Sequence, residues 1–155
     1  MINSKLTNIL ATFTKSELKE FEKFISSAYF NKGRNYSPLL KVLSGFYPNF
    51  DNELLTHEYI YSKLYPGKKF NKQIIWNMFS SLQNMAEEFL VSISLEKNRF
   101  IKNSLLADEF LNRKLAGYHA KKLDEMEKAL EKMGIDDLFF GYKNRLETER
   151  MSYHF

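Results

Sequence analysis

The chain has 155 residues, 44% of them hydrophobic and 27% charged, with 23 Lys and Arg against 19 Asp and Glu for a net charge of +4. That is a globular composition at a length that buries enough surface for independent folding. The absence of Cys excludes disulfide scaffolds, thiolate metal sites and cysteine nucleophiles, and only 6 Gly and 3 Pro argue against a many-stranded sandwich or barrel.

Ile2, Leu6, Ile9, Leu10 and Phe13 recur at the spacing of an amphipathic helix. Thr14-Lys15-Ser16-Glu17 then forms a capping box ahead of the stripe Leu18, Phe21, Phe24 and Ile25. Residues 26–36 read as a connector, because Asn31, Gly33 and Asn35 disfavour helix, and Tyr29 and Phe30 are expected to tuck it onto the core. Ser37-Pro38 predicts a new helix with Ser as cap and Pro at its first position, carrying Leu39, Leu40, Val42, Leu43 and Phe46 up to Pro48. Thr56 is expected to cap a short helix that Pro66-Gly67 stops. Asn71 caps the next, the longest periodic run, with Ile74, Ile75, Met78, Phe79, Leu82, Met85, Phe89 and Leu90. The β-branched run Val91-Ser92-Ile93-Ser94 is a place for that helix to bend or end.

Three further helices follow. One carries Phe100, Leu105, Leu106, Phe110 and Leu111. The next runs from about Tyr118 to Met133, with the stripe His119, Leu123, Met126, Leu130 and Met133, and closes at Gly134. The last opens at Asp136-Asp137, acids suited to a helix N-terminus, and carries Leu138, Phe139, Tyr142, Leu146 and Tyr153. The predicted class is all-α: an irregular multi-helix bundle over 1–97 passing into stacked antiparallel helices over 98–155, or one continuous domain. No identity repeat accompanies the stacking.

The apolar run from Phe89 to Leu95 is too short to span a bilayer, and the N-terminus lacks the features of a signal peptide. A cytoplasmic address and no membrane association are therefore expected.

Catalytic motifs are missing from this sequence. His57, His119 and His154 are scattered, and His119 sits on an apolar stripe where a packed histidine is the ordinary occupant. Pro66-Gly67-Lys68-Lys69 lacks the upstream Gly and following Ser or Thr of a phosphate loop. The carboxylate pairs Glu87-Glu88, Asp108-Glu109, Asp124-Glu125 and Asp136-Asp137 are sequence neighbours, which point about 100° apart on a helix rather than into one cleft. The reading is a non-catalytic protein without cofactor or metal.

Aromatic side chains are abundant, with 14 Phe, 9 Tyr and 1 Trp. Trp76 reads as core packing or as part of a protein-binding groove. Of Tyr36, Tyr47, Tyr59, Tyr61 and Tyr65, which crowd the connectors and the short helix, some are expected to be exposed.

Charge is unevenly spread. No acidic residue lies between Glu58 and Glu87, and that stretch holds Lys63, Lys68, Lys69 and Lys72. The arrangement resembles a helix-turn-helix, with lysines toward phosphates and Gln73 and Asn77 toward base edges, extended by Ser80 and Gln83. Against this, the connector exceeds the usual three or four residues, and the second helix is apolar on much of its circumference.

The stretch Ser16-Glu17-Leu18-Lys19-Glu20-Phe21-Glu22-Lys23-Phe24-Ile25-Ser26-Ser27-Ala28-Tyr29-Phe30-Asn31-Lys32 resembles the opening of a group of longer, uncharacterised bacterial proteins that are helical throughout. The resemblance implies an N-terminal piece of a longer helical chain and carries no activity. The expected function is a protein-interaction or scaffold module. Its contact residues would be Phe139, Tyr142, Leu146 and Tyr153, an apolar edge left for a partner, for downstream helices or for a homodimer. Nucleic-acid binding through residues 56–83 is the alternative.

Overall fold

A computed structural model describes residues 2–30 and 33–152. Every regular element among them is an α-helix, as the periodicity predicts: α1 (Lys5–Thr12), α2 (Lys15–Ser26), α3 (Ser37–Ser44), α4 (His57–Leu64), α5 (Lys72–Lys97), α6 (Arg99–Asn112), α7 (Ala116–Leu130) and α8 (Asp137–Ser152). The chain packs as two compact units, Met1–Val91 and Ser92–Phe155, and α5 runs through the division.

Local sequence sets most helix starts. The Thr14 hydroxyl accepts from Glu17 N at 3.1 Å while Glu17 Oε2 accepts from Thr14 N at 2.9 Å, closing the capping box of α2. Ser4 and Thr7 form the equivalent box at α1, so Ile2 lies ahead of the helix, buried, with its N–H donating to Leu55 O. Thr56 caps α4 and Asn71 caps α5, each through a hydrogen bond of 3.1 Å to the amide three residues on. At α3 the expected cap is displaced. Ser37 is already helical and Tyr36 occupies the cap position without a side-chain bond. The Asn35 side chain takes the Ser37 amide at 2.9 Å, a short amide side chain bonding backbone two residues on, and Ser37 Oγ lies 3.0 Å from Ser26 Oγ.

In the first unit, α2 packs on α3 and α3 on α4. The core gathers Leu6, Leu10, Phe21, Ile25, Leu39, Leu43, Leu55 and Ile60 against one face of α5 made of Ile75, Met78, Phe79, Leu82, Ala86 and Phe89. Phe89 is a hub, with the rings of Phe13, Phe21 and Phe24 centred 5.5, 5.3 and 5.5 Å from its own. Phe30 extends the cluster by stacking on Phe24 at 3.9 Å, whereas Tyr29 beside it is 82% exposed, so only one of the two aromatics tucks the connector down. The five tyrosines of the connectors and α4 are all withdrawn from full exposure: Tyr36 and Tyr61 are buried, and Tyr47, Tyr59 and Tyr65 half-buried. Tyr47 shows why, since its hydroxyl donates to Phe13 O at 2.9 Å while its ring lies edge-on to Phe50.

The β-branched run at 91–94 neither ends α5 nor makes a strand. Propensity differences of at most about 0.7 kcal/mol per residue do not outweigh continuation of a long helix.

The second unit holds the last turns of α5 and α6–α8, with α7 packed on α6 and on α8. Its core is Phe100, Ala107, Leu123, Met126, Leu130 and Leu146, flanked by Ile101, Met133, Phe139 and Tyr142. α6 ends in a Schellman motif: Leu115 N donates to Phe110 O at 2.8 Å and Lys114 N to Leu111 O at 2.9 Å. The motif needs a left-handed residue, and Lys114 supplies it at φ +60° where Gly is the usual occupant. α7 begins at Ala116 and ends at Leu130, three residues before the expected Met133, with a turn carrying the chain toward Gly134.

Two outcomes follow from this packing. Phe89→Ala should cost about 3–5 kcal/mol, because it removes a large ring and leaves a cavity facing three others; a denaturant titration followed by the fluorescence of Trp76 will read it. Lys114→Gly should stabilise the second unit by up to about 1 kcal/mol, since Gly escapes the steric cost of the left-handed region, and thermal unfolding by circular dichroism will show a higher midpoint.

Candidate functional site

The segment joining α4 to α5 is built on aromatic contacts. The Tyr61 ring lies 4.9 Å from Tyr65 and 5.4 Å, edge-on, from Phe70, and the Tyr65 hydroxyl donates to Met78 Sδ at 3.5 Å. Between them Tyr65-Pro66-Gly67-Lys68 makes a β-turn closed by Lys68 N donating to Tyr65 O at 3.1 Å. Pro at its second position and Gly67 at φ +72° in its third are the residues of a type II turn. A side chain in place of Gly67 would meet open space but a strained backbone.

The turn delivers Lys68 and Lys69, both exposed, to the start of α5. There Lys72 Nζ sits 4.3 Å above the Trp76 ring centroid, a cation–π contact, and Gln73 Nε2 donates to Asn77 Oδ1 at 2.8 Å. Lys72, Gln73, Trp76, Asn77 and Ser80 are all exposed, Trp76 by 47%. They recur at the spacing of one helix face, opposite the buried row from Ile75 to Phe89. The buried apolar residues of α5 fill one side of the helix, and the exposed side at its start is polar apart from Trp76. Lys63 does not join this group. It lies 5.2 Å from the Tyr59 ring, which is edge-on to Phe46, and two residues on from Tyr61 it points to roughly the opposite side of α4 from the turn. Gln83 is half-buried and donates to Glu87.

Among the described residues no three His, Asp or Glu side chains converge as metal ligands, and no helix is long and apolar enough to cross a membrane. His57 lies edge-on to Phe79 at 5.1 Å, where burial, aided by Lys72 and opposed by Glu58, holds its pKa below the ordinary imidazole value. His119 is buried, and its Nδ1 donates to Ala107 O at 2.9 Å. The neighbouring carboxylates go separate ways: Glu87 pairs with Lys5 at 2.7 Å, Glu109 with Arg113 and Glu125 with Lys122, while Asp136 caps α8 by accepting from Phe139 N. A groove of about 640 Å³ in the first unit is lined by Phe30, Met85, Arg34 and Glu88, among others.

The apolar edge expected on α8 is turned inward. Leu146 is buried at 3% exposure among Leu123, Met126 and Leu130. Tyr142 stacks on Phe100 at 4.2 Å with its hydroxyl accepting from Asn98, and Phe139 is half-buried. An apolar stripe with a neighbouring helix in reach closes on it as a hairpin, and α7 is that neighbour. Tyr153 and His154 lie outside the described residues. What α8 does leave out is a different set: Leu138, Phe140 and Met151, exposed by 54, 59 and 60%, with Ile135 at 79% just ahead.

Sequence reasoning missed two polar constellations between helices of this unit. The buried Ser104 hydroxyl donates to Glu149 Oε1 and accepts from Arg145 Nε, and Arg145 also donates to Glu149 at 3.1 Å. Glu149 Oε2 is buried without a hydrogen-bond partner among the described residues. Arg150 meets Glu127 of α7 in a two-pronged pair, Nη1 to Oε1 at 2.9 Å and Nη2 to Oε2 at 2.7 Å. That fork holds the Glu127 carboxyl below its ordinary pKa. Its stabilising contribution is thus complete at neutral pH and fades as pH falls through the lowered value. In a carboxyl-detected NMR titration, Glu127 should titrate below the usual glutamate range, and Arg150→Gln should move it back up.

No protein-family model, curated protein or solved structure matches the chain.

Proposed function

We propose that the chain is a non-catalytic helical interaction module of the cytoplasm that docks a helix of a protein partner on the outward side of α8. The observation that carries the reading is that α8 is apolar on both sides. It buries Leu146, packs the half-buried Phe139 and Tyr142 against the same core, and still turns Leu138, Phe140 and Met151 to solvent. A surface helix ordinarily confines its apolar residues to one stripe, and a helix apolar on both sides is one covered on both. Phe140 and Met151 share the outer row with Asn144 and Glu147, both exposed, at spacings that suit an added helix. Successive packing of α6, α7 and α8 is the geometry that such a helix would extend, in the manner of a helical stack. Large flexible and aromatic side chains ringed by polar ones are also the anatomy of interface centres. The absence of Cys suits a reducing compartment.

The test compares wild type with the double variant Phe140→Ser/Met151→Ser in quantitative affinity capture from source cells. Loss of two anchor side chains should deplete a defined set of proteins by about tenfold or more, with the thermal midpoint unchanged. Equal recovery by both proteins would sink the reading. If sedimentation shows instead a monomer–dimer equilibrium that the same substitutions weaken, the docked helix belongs to a second copy.

A further inference from the structure

We propose that the exposed face at the start of α5, with the turn before it, is a binding site for duplex nucleic acid. Lys68, Lys69 and Lys72 would neutralise phosphates, and the Gln73–Asn77 amide pair would face base edges.

The charge points to a polyanion. Lys68, Lys69 and Lys72 are exposed, and among the described residues none is engaged in an ion pair with an acidic side chain. The nearest acids in sequence are Glu58 on one side and Glu87 on the other, and Glu87 is occupied by Lys5 at 2.7 Å. The carrier is preorganised. The type II turn at Gly67 and the Tyr61–Tyr65–Phe70 cluster fix the backbone of the segment that carries Lys68 and Lys69 just ahead of α5, and Lys72 lies over the Trp76 ring.

The polar chemistry of the face favours base edges over a featureless anion. With Gln73 Nε2 donating to Asn77 Oδ1, the pair still offers the Gln73 Oε1 acceptor and the Asn77 Nδ2 donors. A paired acceptor and donor is what adenine N6 and N7 require in the major groove. Lys72, Gln73, Trp76, Asn77 and Ser80 span just over two turns on one side of the helix, the length that a recognition helix presents. An acidic peptide would satisfy the lysines but leave the amide pair and Ser80 without a purpose. Lys63 is excluded from the site by its place over Tyr59, which limits the count to three phosphates. The residues differ from those on the outward side of α8, so the two proposals fail separately.

Fluorescence anisotropy with a labelled duplex of about 20 base pairs, read from about 20 to 200 mM KCl, tests the site. Three neutralised phosphates give a log–log salt slope of about −2.7, and Lys68→Ala/Lys69→Ala should flatten it by about 2. Lys15→Ala/Lys19→Ala removes the same charge from exposed positions of α2 and should leave the slope unchanged. Gln73→Ala/Asn77→Ala should keep the slope but lower affinity for a selected sequence by about tenfold. The emission of Trp76, the sole tryptophan, should change on binding and lose its response in Lys72→Ala. No binding at the lowest salt overturns the proposal, as does a slope that the two pairs of lysine substitutions change equally. So does tighter binding of the single strand than of the duplex, which would make Trp76 a stacking platform instead.

Discussion

The first unit depends on α5 having one buried face and no more. Six of its side chains, from Ile75 to Phe89, enter the core, and Phe89 gathers three other phenylalanine rings around itself. Rings at about 5.5 Å in edge-to-face and tilted arrangements add direction to burial, since the positive edge of one meets the negative face of another. Once these rings set the rotation of α5 about its axis, the opposite face has to meet water. Trp76 is exposed because Ile75, Met78 and Phe79 are not, and its neighbours Lys72, Gln73 and Asn77 are exposed for the same reason. Core and candidate binding surface are thus two sides of one constraint.

α8 obeys a different balance. Its inward row satisfies α7, yet Phe140 and Met151 stand on its outward row among the polar Asn144 and Glu147. The orientation of α8 is held by groups other than oil: the Arg150–Glu127 fork ties it to α7, and Asn98 holds the Tyr142 ring over Phe100. Polar ties of this kind let a helix keep a defined rotation even though its apolar residues alone would accept more than one.

How far each feature was legible depends on the range of the interaction behind it. The caps at Thr14, Thr56, Asn71 and Asp136 are written within three residues and could be read directly. Ser37 could not, because Asn35 lay closer to the same task, a competition between two local signals. All-helical class follows from 3.6-residue periodicity, which is local too. The extent to which Tyr36, Tyr47, Tyr59, Tyr61 and Tyr65 withdraw from solvent was not legible because it is decided by remote partners, such as Tyr47 reaching Phe13 across 34 positions. Trp76 was ambiguous because the run around it is apolar on average, and only the direction of the summed stripe says which side faces out. The stripe on α8 was recognised but assigned to the wrong side, since periodicity marks a face without naming what lies against it. Ser104 and Glu149 are 45 positions apart, and no pattern in either helix announces the meeting.

That meeting has a consequence for how uniquely the second unit is specified. Leu, Met and Phe contacts are interchangeable enough that two helices can slide past one another by a turn and still find apolar neighbours. The Ser104–Arg145–Glu149 cluster removes that freedom. Sliding α8 by one turn along α6 would part Ser104 from both Glu149 and Arg145, which travel together on α8, and leave the buried Ser104 hydroxyl without its partners, at a cost of about 1–3 kcal/mol. The two bonds to Ser104 thus favour one axial alignment of α8 on α6 over its neighbours, a selection that the apolar contacts alone would not make.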